Sequence, residues 1–361
     1  MHPKQFFATV AAALALCAVL AAGLVAAPTA EAQEITIVSW GGGWQDAQRV
    51  IIFKPFEKET GIRINEVSYD GELGRIKAMV ISGNVEWDIV DVEWGTANIL
   101  CEAGLAELIP DSFWDEVGGK DQFHPAAIHE CGAGNFFWST TFAYDANRIP
   151  PEQAAKTWMD FWDVKNFPGA RSMRRKPKGN LEFALMADGV PFDQIYDVLR
   201  TPEGIDRAFR KLDEIKPHVK KWWEAGAQPP QLLADGEVAY TTVYNGRITD
   251  ANLKAGQNLR NVWWGNNYTL DLYVIPRGSP NKDLALKWIA YSLRKDRQTA
   301  FANEIPYGPV RYESIPDVNA EMIPELPSAP ENMKHSLIVD EEYWAEYLEP
   351  LTERFEAWLT R

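Results

Sequence analysis

Charged and aromatic side chains recur at the ends of short apolar runs in this chain. Trp40 leads into Gly41-Gly42-Gly43 after Ile35–Ser39, Glu93 and Trp94 follow Trp87–Val92, and Ser139 and Thr140 lie within Phe136–Tyr144. Tyr244 ends Val238–Tyr244 with Arg247 three residues beyond, and Asp271 precedes Leu272–Ile275. A carboxylate holds an ammonium group, an aromatic face adds about 0.5 to 2 kcal/mol per cation–π contact, and a guanidinium grips a carboxylate through parallel donors. That chemistry is reversible recognition of a small charged molecule. Signatures of covalent chemistry are missing from the sequence: there is no G-x-S-x-G turn, no P-loop and no H-E-x-x-H. The three glycines fail the dinucleotide spacing, and no acidic residue closes a nucleotide-binding unit. His129-Glu130-Cys131 with His124 has no second cluster at ligand spacing, so neither a metal nor a cofactor is expected.

Alternating elements must position these groups. Ile35–Ser39 is a β-branched run suited to a strand buried on both faces, and further strands are expected at Ile62–Val67, Trp87–Val92, Phe136–Tyr144, Val238–Tyr244 and Leu272–Ile275. Trp44–Thr60 reads as a helix with Ala47, Val50, Ile51 and Phe56 at core spacing, a kink at Pro55 and a stop at Gly61. Other helices are expected at Gly71–Ser82, Thr96–Ala103, Leu181–Ala187, Ile195–Leu199, Pro202–Lys211, Lys220–Ala225, Lys282–Ala302 and Tyr343–Leu359. This rhythm specifies an α/β protein with mostly parallel sheet and helices on both faces. Ligands of such sheets sit beyond the carboxyl ends of the strands, where the candidate residues lie. The Pro-rich stretch from Ile315 to Pro330 reads as a surface loop or crossing strap.

The chain opens like an exported protein. Lys4 is followed by the apolar stretch Phe6–Ala27, and Ala30-Glu31-Ala32 fits cleavage before Gln33; the alternative is a retained membrane anchor. Removing 32 of 361 residues leaves 361 − 32 = 329, enough for two lobes. A net charge of −15 argues against nucleic acid and anionic lipid as partners. Fifteen tryptophans raise the prospect of an aromatic-lined site. Cys101 and Cys131 are the even pair left after cleavage, and in an exported protein they read as a disulfide worth roughly 3 to 4 kcal/mol in the chain-entropy view.

Several stretches together carry a family resemblance: KPFEKETGI after the glycine turn, EWDIVDVEWG, VAYTTVYNGR, LDLYVIPRGSPNKDLALKWIAYSL and EIPYGPV. In this order the chain resembles the periplasmic solute-binding proteins of ABC importers, and within them the spermidine/putrescine-binding group. The resemblance implies a two-lobed type II binding fold, each lobe a mostly parallel sheet flanked by helices, with solute held in the cleft and passed to an inner-membrane permease. It implies lobes at 33–140 plus 268–330 and at 141–267, C-terminal helices at 331–361 packing across them, a periplasmic location and a monomer. It further implies that Trp40, Tyr244 and Tyr307 flank an aliphatic ligand and that Asp271 holds an amino group.

Departures from that group narrow the ligand. Gly42 stands where the group has an acid, Thr269 replaces a tryptophan, and the second lobe carries SMRRKPKGNLEF with Arg174, Arg175, Lys176 and Lys178 where an acidic pair belongs. That basic run is either a solvated loop or, for Arg174 and Arg175, an anion contact. Arg247 suits a carboxylate, so Arg247 and Asp271 together would hold a zwitterion, as in ω-amino-acid binders related to the group, including those for γ-aminobutyrate. Glu93 is either a second ammonium acceptor, which favours a diamine, or a cap for the helix near Thr96. A polyamine, an ω-amino acid or a small dicarboxylate each remains open here. An enzyme on the same fold would need an acid/base residue in the cleft, and an iron binder would need paired tyrosines, for which Tyr240 and Tyr244, about 13 Å apart along a strand, are poorly spaced.

Overall fold

The β-branched run after the export region extends in the computed structural model, which describes residues 33–361, into strand β1 (Glu34–Ser39). The cleavage site and the apolar stretch before it lie outside the described residues. The other strands are β2 (Arg63–Ser68), β3 (Ile89–Glu93), β4 (Ile128–His129), β5 (Gly132–Asp145), β6 (Arg171–Arg174), β7 (Val219–Trp223), β8 (Tyr240–Tyr244), β9 (Leu259–Val274), β10 (Gly308–Pro309) and β11 (Leu337–Ile338). All eleven join one sheet, with the main order β2-β1-β3-β9-β5-β8-β6-β7. β1 pairs in parallel with β2 and β3, and β6 lies parallel between β7 and β8. Between these sets run β5 and β9, antiparallel to each other and to β8 and β3 respectively. The mostly parallel sheet expected in each lobe is therefore parallel in its three outer strands and antiparallel at the long central pair.

β5 is buried along all of its 14 residues, and at about 3.3 Å per residue it spans roughly 46 Å. It passes through two apolar cores. One gathers Ile35 to Trp138 and Tyr268 to Val310; the other gathers Phe142 to Tyr240 with Leu337 to Trp358. The change from one core to the other falls between Trp138 and Phe142 on β5 and between Trp264 and Tyr268 on β9. The C-terminal helix Glu341–Leu359 packs on helices Trp94–Glu102 and Pro177–Ala187. Helices cover both faces, so the fold is α/β as the alternation of elements indicated.

Three local expectations change. Lys220–Ala225 is not a helix: Val219–Trp223 is strand β7, in parallel register with β6, with Trp223 fully buried. Its two lysines are exposed edge residues that mimic a helical polar face. Lys282–Ala302 is two helices, Lys282–Ser292 and Lys295–Glu304, because Arg294 is extended at φ −60° and ψ 144°. In Trp44–Thr60 the helix widens into a π turn at Arg49–Phe53 before Pro55, which sits in the first turn of the segment Lys54–Thr60. The proline has no N–H to close a bond to the preceding turn, and the widened π turn lies where that bond is missing. Gly61 ends the helix in the left-handed region at φ 75°. Ile315–Pro330 forms a strap of short turns whose Val318, Met322, Leu326 and Ala329 pack on Ala302. Cys101 and Cys131 are bridged, with Cα atoms 5.6 Å apart, tying the end of helix Trp94–Glu102 to the turn between β4 and β5.

Candidate functional site

Register across the central strands brings the candidate residues together. Glu93 at the end of β3 is the direct partner of Asp271 on β9, and Thr140 on β5 is the partner of Tyr244 at the end of β8. Trp40 follows β1, Arg247 lies in the first turn of helix Asn245–Ala255 after β8, and Tyr307 precedes β10. These strand ends enclose a cavity of about 50 Å³. Trp40, Trp44, Trp138, Tyr244 and Tyr307 form its aromatic walls, while Glu93, Arg174, Arg247 and Asp271 supply charge; Asp70, Glu224 and Gly226 complete the lining.

Asp271 is 5% exposed and accepts one hydrogen bond, from Trp138 Nε1 to Oδ1 at 2.7 Å. Trp40 Nε1 is directed at the same carboxyl and has no hydrogen-bond partner of its own. No cationic side chain pairs with Asp271 among the described residues. Burial, with Asp91 and Glu93 nearby, raises its carboxyl well above the usual range. Asp91 lies behind the Trp44 wall and accepts from Ser39, Trp44, Gln48 and Asn135; burial still raises it, to about 7.

Arg247 is likewise 5% exposed. Its Nη2 donates to the Gly41 carbonyl at 3.0 Å, while Nε and Nη1 have no partner. No acidic side chain forms an ion pair with it among the described residues. Gly42 is the reason it fits: with φ +55°, a Cβ there would stand 2.8 Å from Arg247 Nη1. The position where a polyamine binder keeps an acid is here occupied by the edge of a guanidinium.

Glu93 faces protein cations. Arg174 Nη1 lies 3.2 Å from Oε1 and Lys178 Nζ 3.0 Å from Oε2. Burial alone would raise the Glu93 carboxyl, but Lys178 and Arg174 hold it well below the usual carboxylate range. It makes no side-chain cap to helix Trp94–Glu102. Arg174 is buried, sits 5.2 Å from the Tyr244 ring centroid, and lines the cavity. Arg175 turns the other way, into exposed pairs with Glu356 and Glu224. The basic run is thus not a solvated loop: Asn180 Nδ2 bonds the carbonyls of Arg174 and Lys176, and Arg174 and Lys178 are buried, Lys176 half-buried and Arg175 exposed.

Three candidates stand apart from the cavity. Trp94 Nε1 donates to the Ala126 carbonyl and its ring meets His129 edge to face. Ser139 is fully buried, donating through its backbone N–H to Asn245 and through Oγ to Asn266. Thr140 is buried in the β5–β9 ladder opposite Asn267. Successive strand residues face opposite sides, so Ser139 faces away from Trp138 and Thr140, and of those two Trp138 lines the cavity. Tyr240, considered for iron, is buried in the second core with its hydroxyl accepting from the Ala155 N–H. Sequence reasoning missed Trp44, Asp70, Glu224 and Gly226. Trp44 stands in the first turn of the helix that follows the glycines, next to the strand end that carries Trp40, a position that could have flagged it.

Comparison with known proteins agrees with this geometry. The bacterial extracellular solute-binding protein family model matches residues 52–328. The chain is 43% identical to a gamma-aminobutyric acid-binding protein of Pseudomonas aeruginosa over 337 residues, 93% of this chain and 94% of that one. It is 22% identical to the spermidine/putrescine-binding periplasmic protein of Escherichia coli over 265 residues, 71% of this chain and 72% of that one. Among solved structures, the periplasmic binding protein MotA of A. tumefaciens B6 in complex with glucopine superposes with a TM-score of 0.83 at 29% identity, covering 91% of this chain and 100% of that one. The structure of a GABA receptor gives 0.79 at 34% identity, covering 91% and 98%. With the sheet, the cavity and these matches agreeing along nearly the whole sequence, this chain belongs to the bacterial extracellular solute-binding proteins.

Proposed function

We propose that this protein captures a short ω-amino acid, with γ-aminobutyrate as the leading ligand, and delivers it to an inner-membrane ABC permease. The observation that carries the reading is the buried acid and the buried base in one small cavity, neither in an ion pair among the described residues. Asp271 takes the ammonium, free donors of Arg247 take the carboxylate, and Trp40, Trp138, Tyr244 and Tyr307 cover the methylenes. Satisfying both groups removes the cost of leaving each charge buried and unpaired. The 43% identity to a gamma-aminobutyric acid-binding protein supports the same ligand. A polyamine would bring a further cation against Arg174 or Arg247, and a dicarboxylate would face Asp271 without compensation.

Capture works as a population shift. The lobes, 33–140 with 268–330 and 141–267, close about β5 and β9, with 331–361 across them, because the solute contacts both sides at once. The protein acts from the periplasm as a monomer, and no chemical step is involved.

Calorimetric titration of the exported protein tests the reading. γ-Aminobutyrate is expected to bind at about micromolar strength, near −8 kcal/mol, and both Asp271→Ala and Arg247→Ala should weaken it by about 100-fold or more. A polyamine ligand would lose affinity only with the first variant, a dicarboxylate only with the second. Either pattern sinks the zwitterion reading, as does turnover of the solute.

A further inference from the structure

Glu93 and Asp271 are direct partners across β3 and β9, and both line the cavity. Opposed residues of an antiparallel pair hold their Cβ atoms about 5 Å apart on one face. One end of the cavity therefore has two carboxyl groups side by side, and they are used differently. Asp271 has no cationic partner among the described residues, whereas Glu93 is bound by Arg174 Nη1 at 3.2 Å and Lys178 Nζ at 3.0 Å. Burial alone would favour the neutral form of Glu93, but Lys178 and Arg174 hold its carboxyl well below the usual range, so it is charged at neutral pH.

Arg174 completes this end. It lines the cavity, is 7% exposed, and its Nε has no hydrogen-bond partner. Its place is fixed: the backbone N–H donates to Thr242 Oγ1 at 3.0 Å, the carbonyl accepts from Asn180 at 2.6 Å, and the guanidinium lies over the rings of Tyr244 and Trp223. Lys178 stands outside the lining and keeps a second carboxylate of its own, Glu341 at 2.8 Å. Apart from the exposed Asp70 and Glu224, the charged lining counts two acids, Asp271 and Glu93, and two bases, Arg247 and Arg174.

An ω-amino acid brings one charge of each sign and leaves that balance intact. Glutamate is γ-aminobutyrate with one more carboxylate, on the carbon that bears the ammonium. With the ammonium on Asp271 and the distal carboxylate on Arg247, the extra charge falls at the end where Glu93 already occupies Arg174. A buried charge left beside one of like sign and without a partner of its own is costly. We propose that Glu93 is a specificity-determining residue: by occupying Arg174 it stands in for an α-carboxylate, and so it excludes α-amino acids from a site that takes the ω-amino acid. This rests on the zwitterion reading and deepens it. Asp70 and Glu224 carry the same sign, but as exposed groups they are screened by water and add little to the exclusion.

The test is calorimetric titration of the exported wild type, Glu93→Gln and the Glu93→Gln/Arg174→Met double variant with γ-aminobutyrate and with L-glutamate. The wild type should bind γ-aminobutyrate about 100-fold or more tighter than glutamate. Glu93→Gln leaves Lys178 with Glu341 and frees the charge of Arg174, so it should lower the glutamate Kd by about tenfold or more; the double variant should lose that gain. A merely structural glutamate predicts something different: glutamate binding that is unchanged in Glu93→Gln, or that weakens together with γ-aminobutyrate, overturns the proposal, and so does a gain that survives the loss of Arg174. A second measurement needs no variant and holds even if Glu93→Gln fails to fold. The α-carboxamide of L-glutamate keeps the size of the α-carboxylate without its charge, and the wild type should bind it about tenfold or more tighter than glutamate. A wild type that rejects both alike excludes by size, and the proposal falls. A wild type that binds no γ-aminobutyrate overturns the zwitterion reading and the exclusion built on it; one that binds γ-aminobutyrate and glutamate equally well overturns the exclusion alone.

Discussion

At the scale of single residues, the proposed recognition rests on an acid and a base that are almost wholly buried. Asp271 and Arg247 are each 5% exposed, and neither has an ion-pair partner among the described residues. The direction of the Asp271 shift gives the pH dependence. In the free protein burial raises its carboxyl, so it holds a proton at pH values where an ordinary aspartate has lost it. A bound ammonium favours the charged form and pulls that value down. The free protein therefore binds more protons than the complex, and affinity for an ω-amino acid should strengthen as pH rises above the range where an ordinary aspartate titrates, by at most tenfold per unit. Titrations in buffers of different ionisation enthalpy would register the released proton; affinity that falls with rising pH would contradict the assignment of Asp271. Gly42 belongs to the same scale. An aspartate there would be strained at φ +55° and would compete for Arg247 with the ligand's own carboxylate.

At the scale of elements, a site residue is legible in the sequence when one strand end carries it. Trp40, Tyr244, Arg247 and Asp271 follow from the apolar runs beside them and from the resemblance they share with solute-binding proteins. Tertiary partners are not legible in that way. Whether Ser139 or Trp138 faces the ligand depends on register with β8 and β9, and the fate of Glu93 depends on Lys178, 85 residues away by number (178 − 93) and bound through one ion pair. Val219–Trp223 misleads for the opposite reason: at the sheet edge its lysines face solvent, so the run lacks the continuous apolar character of a central strand. The disulfide was readable from count and compartment alone. It anchors helix Trp94–Glu102 away from the cavity lining, so Cys101→Ser/Cys131→Ser should lose roughly 3 to 4 kcal/mol of stability. Denaturant unfolding would measure that loss; a variant as stable as the wild type would count against it.

At the scale of the whole molecule, β5 and β9 run through both apolar cores and also carry Trp138 and Asp271. The strands about which the proposed lobes close are thus the strands that hold the ammonium site. Small-angle scattering should show the radius of gyration falling when γ-aminobutyrate is added to the wild type and staying constant in Asp271→Ala. A wild type of constant radius at saturating ligand would speak against closure. The Trp138 indole donates to the Asp271 carboxyl at 2.7 Å, and Trp40 and Trp44 share the same cavity. Three of the fifteen tryptophans thus line the cavity. Solute entering the proposed site, and the proton it displaces from Asp271, should therefore shift the intrinsic ultraviolet emission, which would serve as an optical reporter without a dye.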